Sequence, residues 1–581
     1  LPYVRRPGRY IGGEVNQAAK DLAACEVRAA LCFPDVYEIG MSHTGLGILY
    51  EVLNRMEGVA AERVFAPWLD GEEVLRERGI RLFSLESMAA VGDFDVIGFS
   101  LTNELCYTNM LNMLDLAGLE VRSARRGEDD PIVIVGGQAA NACEPIADFV
   151  DMFILGEGEE AVVKIAGLLG EMKGQGASKG EFLRAVARAW DFVYVPSLYR
   201  FEYEGERMSA FAAEEPGLRA RFCNAVVQDF DGAAVTERPI VPFVQAVHER
   251  VSVEIMRGCP GRCRFCQASY CRRPLRYRSV DRIVEIAKAN YHATGFDTVS
   301  LLSLSTADYP HLEELVVRLQ EYFEPRHVGI SLPSLKVKQQ LELLPKMVTS
   351  VRKSGLTIAV EAASERLRRV INKPITDEDL FAGVRAAYEA GYQQLKLYFM
   401  AGLPGETEED IVGIAVLAHD LARLRKEVDG KVANINIAVS WLVPKPHTPF
   451  GWLGQRSAEY FEHVKEVVLR EKRRLNARFL KFKFHGIETS VLESAVARGD
   501  RRMGAVIEEA WRRGAKFDLW NECFDARVWE EGFSAHGMDL HAAAQRSFGR
   551  DDILPWEHLG GAGREYLLKH YDAAVQCAQT G

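Results

Sequence analysis

"RGCPGRCRFCQASYC", residues 257–271, places four cysteines within thirteen positions. Cys259, Cys263 and Cys266 are spaced C-x3-C-x2-C, and Cys271 follows five residues later. Directly upstream, "VSVEIMRG" (251–258) reads as a buried strand, so the cysteines open the loop at its C-terminal end. Gly258, Pro260 and Gly261 make that loop tight enough to wrap a compact ligand. Three thiolates on one short loop suit a cubane iron–sulfur cluster in which one iron lacks a protein ligand. Zinc usually takes four ligands in two separated pairs, and a zinc knuckle completed by Cys271 or a distant histidine is the alternative. Cys271, outside the spacing, reads as structural.

Downstream, strands and helices alternate. Strands are expected at 251–257, 297–305, 327–333, 356–362, 394–401 and 433–443, and helices at 279–294, 311–323, 337–354, 376–390, 407–428 and 457–479. Ser279, Thr376 and Thr407 stand at helix starts as N-caps. Six β/α units predict a partial barrel of parallel strands with its chemistry at the strands' C-terminal ends.

Upstream the same alternation appears. "VRAALCFPD" (27–35), "DVIGFSLT" (95–102), "PIVIVGGQ" (131–138) and "DMFILGEGE" (151–159) are short apolar strands. "SHTGLGILYEVLNRM" (42–56), "YTNMLNMLDLAG" (107–118) and "EAVVKIAGLLGEM" (160–172) are helices between and after them. This predicts a doubly wound, Rossmann-like parallel sheet. "KGQGASKG" (173–180) is a glycine-rich break. The expected order is an α/β domain over 1–175, a connector with a small β element over 176–247, the barrel over 248–480, and a mainly helical C-terminal region over 481–581.

The net charge of −11 argues against a global nucleic-acid-binding surface. Eleven cysteines in 581 residues are too sparse for a disulfide scaffold. No long apolar run and no basic-then-apolar leader is visible, so no membrane association and a reducing cytoplasm are expected.

A C-x3-C-x2-C loop after the first strand of a six-stranded partial barrel resembles the radical S-adenosylmethionine (AdoMet) superfamily. The resemblance implies that Cys259, Cys263 and Cys266 hold a [4Fe–4S] cluster whose open iron binds AdoMet. Reductive cleavage of AdoMet would then yield a 5′-deoxyadenosyl radical, with an electron donor such as flavodoxin or ferredoxin. By the same resemblance Phe265 lies against the adenine. Ser305 and Thr306, in "LLSLSTADY" (301–309), occupy the amine-binding strand end, where the family commonly has Gly-Gly-Glu. Glu361 would reach the ribose, with Ser364 and Arg366 near the carboxylate. Gly402, Pro404 and Gly405, in "YFMAGLPGETEEDI" (398–411), resemble the family's Gly-x-Pro-Gly-Glu turn beside adenosine.

An N-terminal doubly wound domain before such a barrel is similar to the cobalamin-binding subfamily. Ser100 and Thr102, Gly136 and Gly137, and Gly156 and Glu157 match its strand-end positions and imply contacts to cobalamin. The Asp-x-His-x-x-Gly motif that supplies an axial histidine in many cobalamin proteins is absent; His43 in "MSHTGLG" is the nearest candidate. The expected activity is cobalamin-dependent methylation of an unactivated carbon. The alternatives are a cobalamin-independent, methylthiotransferase-like modification of RNA or a ribosome-associated protein, and a non-catalytic cobalamin or redox sensor. Arg272, Arg273, Arg276 and Arg278, with "REKRRLNARFLKFKF" (470–484), read either as phosphate contacts or as a solvated face.

Overall fold

The computed structural model describes residues 1–331 and 356–579. The expected helix at 337–354 and the end of the strand at 327–333 fall outside or largely outside them. The first domain is a six-stranded sheet in the order β2-β1-β3-β4-β5-β6. Its strands are β1 (Val27–Phe33), β2 (Val59–Phe65), β3 (Val96–Ser100), β4 (Ile132–Gly136), β5 (Met152–Ile154) and β6 (Val193–Tyr194). All pairs are parallel except β5–β6. The sheet therefore continues past the glycine-rich break at 173–180. Helices α1 (Thr44–Arg55), α2 (Tyr107–Leu116) and α3 (Glu159–Gly174) cover its faces. Because β2 and β3 flank β1 on opposite sides, the switch in strand order falls at β1/β3, where open α/β sheets bind ligands.

The connector contributes an antiparallel hairpin, β7 (Tyr199–Glu204) and β8 (Arg207–Ala213), as the expected small β element. The barrel follows in two groups of parallel strands. The first contains β9 (Val251–Glu254), β10 (Thr298–Leu302) and β11 (Gly329–Ser331). The second contains β12 (Leu356–Glu361), β13 (Gln394–Ala401), β14 (Asn434–Trp441) and β15 (Leu480–Phe484). Strand β15 is one more than expected. Its "LKFKF" alternates apolar and basic residues, so part of the basic stretch at 470–484 is a sheet edge. The helices are α4 (Val280–Thr294), α5 (Leu312–Phe323), α6 (Asp377–Glu389), α7 (Glu408–Asp429) and α8 (Ala458–Arg474). Ser279, Thr376 and Thr407 cap α4, α6 and α7 as expected, and Thr407 forms a reciprocal capping box with Asp410.

The C-terminal region is helical and opens with α9 (Ile487–Ala497) and α10 (Met503–Arg512). They are followed by α11 (Ala526–Ala535) and α12 (Arg564–Gln579). This region docks on the first domain. Arg501 pairs with the buried Glu144 at 3.0 Å, and Thr108 donates to Asp518 at 2.7 Å. His558 also meets Glu144, at 3.1 Å. Trp529 and Trp556 are buried, so they pack the core. No helix among the described residues is long and apolar enough to cross a membrane.

Candidate functional site

The cysteine loop leaves the end of β9 through a two-residue antiparallel ladder, Met256–Arg257 with Arg276–Tyr277. Gly258 has φ +90°, and a Cβ there would lie 2.8 Å from the Arg272 carbonyl oxygen, so this turn requires glycine. A Cβ on Gly261 would fall 3.3 Å from the Cys259 Sγ and 4.0 Å from the Cys263 Sγ, which makes residue 261 a gap beside two thiols. The loop carbonyls are pinned from outside. The Arg273 guanidinium donates to Cys259 O (3.2 Å) and Gly261 O (3.1 Å). Asn372 and the Tyr270 hydroxyl both donate to Arg262 O, at 2.8 and 3.2 Å. The buried Arg264 donates to Arg369 O and Val370 O.

Burial pushes the Cys263 thiol up to about 11, while the Lys373 ammonium pulls it back and the neighbouring Cys266, Cys259 and Glu361 add to the rise. The Cys259 and Cys263 thiols flank the gap at Gly261, and Cys266 lies close enough to Cys263 to raise its thiol. Such a buried thiol becomes a ligand when a metal displaces its proton. Among the described residues no three His, Cys, Asp or Glu are grouped to hold a single ion. A cubane instead takes each thiolate on a different iron. The side-chain-free gap at Gly261 flanked by two thiols, the third thiol beside Cys263 and the pinned carbonyls fit a cluster. Cys271 is buried, and burial pushes its thiol to about 12, in keeping with a structural role.

The expected AdoMet residues line the neighbouring strand ends. Phe265 packs with Ala362, Leu367, Val370, Met400 and Leu403 in one apolar cluster. Glu361, at φ +68°, pairs with Lys373 at 2.9 Å. Ser364 and Arg366 both bind Asp410, and Arg366 also donates to Gly405 O at 2.9 Å. Gly402 N donates to Glu406 at 2.7 Å, and Tyr460 OH donates to the same carboxylate at 2.5 Å. Burial raises Glu406 to about 7. A Cβ on Gly405 (φ +71°) would meet Ala578 of α12 at 2.7 Å, so this turn is closed on by α12, whose Ala578 shares the apolar cluster of Phe265. On β10's side, Ser305 donates to Asp308 at 2.6 Å and Thr306 pairs with Ser303 at 2.8 Å; both are buried.

A cavity of about 560 Å³ lies between the first domain and the barrel, within the usual range for ligand pockets. Met256, Arg257 and Gly258, the residues immediately before Cys259, line its barrel side. From there it runs down one face of the first sheet, under α1 and α3, as far as Ala29 and Val27. Ser100, Thr102, Gly136, Gly137, Gly156 and Glu157 all line it. The glycines divide into two kinds. A Cβ on Gly98 or Gly136 would meet nothing closer than 3.6 Å, so these positions give the cavity its width. Gly137 (φ +98°) and Gly156 (φ +87°) are instead demanded by packing, for a Cβ on each would sit 2.4 Å from a backbone oxygen, of Leu101 and Ala225 respectively.

Glu157 is engaged across the domain boundary. It pairs with Arg276 and, at 3.3 Å, with Arg257, and accepts from Val227 N at 2.6 Å. Arg257 also binds Glu159 (2.8 Å) and Glu254 (2.7 Å). The arginine run after the cysteines is thus mostly internal rather than a solvated face. Arg273 holds the loop, Arg276 holds Glu157, and Arg278 is buried against carbonyls and the Phe230 ring. Sequence reasoning missed Arg257, which binds Glu157 and Glu159 about 100 residues upstream, and Asp410, which binds Ser364 and Arg366 more than 40 residues upstream.

Two family models match the chain: "Radical SAM superfamily" over residues 253–418 and "Radical SAM proteins, N-terminal" over residues 45–196. An uncharacterized protein of Methanocaldococcus jannaschii is 25% identical over 486 residues, 82% of this chain and 90% of that protein. The ribosomal protein uS12 methylthiotransferase RimO of Desulfotalea psychrophila is 31% identical over 202 residues, 33% of this chain and 43% of that protein. Among solved structures, the cobalamin- and [4Fe–4S]-bound radical S-adenosylmethionine methyltransferase TsrM of Kitasatospora setae superposes with a TM-score of 0.49 at 14% identity, covering 73% of this chain and 77% of that one.

Proposed function

We propose that this chain, which a radical SAM superfamily model matches over residues 253–418, is an enzyme of that superfamily that uses a cobalamin in the interdomain cavity to methylate an unactivated carbon. A [4Fe–4S] cluster and AdoMet are the cofactors of this superfamily. A bound cluster would supply the electron that cleaves AdoMet; the chain's own part is to hold, orient and enclose. Cys259, Cys263 and Cys266 would ligate three irons. Phe265 and its apolar neighbours would form the adenine wall, and the Ser364–Asp410–Arg366 network would fix the β12 and β13 ends that face the nucleoside. A cation at Arg366 suits a carboxylate, and Glu361 is close enough to Lys373 to be held in one orientation.

The observation that supports cobalamin is the cavity. It lies at the sheet's switch point, continues as an apolar slot widened by Gly98 and Gly136, and is lined on its barrel side up to Gly258, next to Cys259. A large planar cofactor with a nucleotide tail suits that shape: the tail in the slot, the reactive face toward the cluster loop. The test is to purify the protein without oxygen from cobalamin-fed cells and measure cobalamin and iron per chain. Near one cobalamin per loaded cluster supports the reading; none, with the cluster loaded, refutes it.

A second reading takes its support from the methylthiotransferases among the relatives, though this chain spans less than half of RimO. It needs no cobalamin, and its substrate would be RNA or a ribosome-associated protein. Its further cluster would need cysteines in the first domain, where Cys32, Cys106 and Cys143 are buried on separate elements. Salt-sensitive RNA binding would favour it.

A further inference from the structure

One corner of the large cavity is polar, and its two side chains come from different domains. His43 is the N-cap of α1, and its Nδ1 accepts the Leu46 N–H at 3.0 Å. That bond fixes the tautomer: a ring nitrogen that accepts carries no proton, so in the neutral imidazole the proton sits on Nε2. Burial and the nearby Arg272 lower the histidine to about 4, so the ring is neutral at physiological pH. Nε2 has no protein partner among the described residues, and His43 lines the cavity. The ring is backed by Phe33, with centroids 5.1 Å apart. Gly45 keeps its edge clear, because a Cβ there would come within 3.0 Å of the His43 Cε1.

Arg272 lines the same cavity from the barrel side. Its guanidinium has no hydrogen-bond or ion-pair partner among the described residues, unlike those of Arg257, Arg273, Arg276 and Arg278. The carboxylates that also line the cavity, Glu157, Glu159 and Glu254, are all bound to Arg257. What is left for a ligand at this corner is one cation, one N–H donor and the N-terminal end of α1. All three favour negative charge.

We propose that His43 and Arg272 recognise an oxyanion, a carboxylate or phosphate group, on the ligand of this cavity, with His43 acting as a hydrogen-bond donor through Nε2 and not as a metal ligand. The inference deepens the cobalamin reading and rests on it where the oxyanion is the cofactor's own phosphate. The other source is an acidic group of the substrate. Ligation of cobalt by His43 would need the proton moved to Nδ1, where it would face the Leu46 N–H and break the helix cap.

The variants are H43N and R272M. Asparagine is itself a good N-cap, so H43N keeps the start of α1 while removing the ring and its distal nitrogen. R272M keeps an apolar stem and removes the charge. The cluster-loaded full chain is dialysed anaerobically against hydroxocobalamin and against cobinamide, which lacks the nucleotide and its phosphate. If the cofactor supplies the oxyanion, each variant weakens cobalamin roughly tenfold and leaves cobinamide unchanged. If the substrate supplies it, both corrinoids bind all three proteins alike, and millimolar inorganic phosphate raises the melting temperature of wild type but not of the variants. Identical corrinoid affinities with no phosphate effect overturn the proposal. So does a protein-nitrogen splitting in the cob(II)alamin electron paramagnetic resonance spectrum that H43N abolishes. A wild type that keeps its cluster but binds neither corrinoid sinks the cobalamin reading instead, and the phosphate melting shift then decides the proposal by itself.

Discussion

The cysteine loop and the interdomain cavity meet at Gly258, and they are prepared for their ligands in different ways. Around the loop nearly every carbonyl is held: Arg273, Asn372, Tyr270 and Arg264 donate to it or to the segment it packs on. Along the cavity the walls are apolar strand and helix faces, and room is made by omission, at Gly98 and Gly136. Covalent ligation tolerates little error in position, so the loop is held by directional bonds. A ligand taken up by burial needs matching volume, so the cavity is defined by what its residues lack.

Four changes probe that contrast. C263A removes one iron ligand and should abolish cluster loading and deoxyadenosine formation, at least a thousandfold in rate, while circular dichroism stays native; turnover in that variant would refute the ligand assignment. G98L fills the slot from mid-strand, where the nearest atoms leave space for a larger side chain. It should lower cobalamin affinity by more than about tenfold and leave iron content and AdoMet cleavage alone, which separates the two halves of the site in one measurement. R273M should loosen the loop without removing a ligand. Two hydrogen bonds from a charged donor contribute about 1.5–3 kcal/mol each, so iron is expected to leave faster under chelator challenge while cobalamin binding holds.

The smallest effect concerns Glu406, which anchors Gly402 and Tyr460. Its native value of about 7 lies above the ordinary carboxylate value of 4.5. Between those two values the native state keeps a proton that the unfolded chain has released, so stability falls as pH rises through that window. E406Q should remove this fall. Its melting temperature relative to wild type should be higher at pH 8 than at pH 5, by a few degrees at most; a difference independent of pH would contradict the assignment.

The cysteine spacing, the alternation of strands and helices and the caps at Ser279, Thr376 and Thr407 were legible because each is a local pattern. The six strand-end positions that the resemblance implies as cobalamin contacts line one cavity. What escaped depends on partners far apart in sequence. Arg276 and Glu157 are 119 residues apart, and Arg501 and Glu144 are 357 apart. An arginine run looks the same on paper whether it faces solvent or carboxylates from another domain. Glycine was half legible: a strand-end glycine was expected to admit a ligand, but Gly137 and Gly156 are there to admit backbone. Strand β15 hid inside a basic stretch, because alternate lysines on an edge strand resemble a charged helix face.

One apolar core runs from Val27 of the first sheet through β12–β14 of the barrel to Leu540 and Leu559 of the tail. Strands β9–β11 with α4 and α5 have a separate core of their own. The domains read along the chain are therefore not the pieces that heat or protease should reveal. Calorimetry is expected to show the first domain, the later barrel strands and the tail melting in one endotherm. The segment that opens independently should be the early barrel strands, which carry the cysteine loop at their end. A cut near 486 would then leave no stable barrel, and the practical unit for dissection is the whole chain.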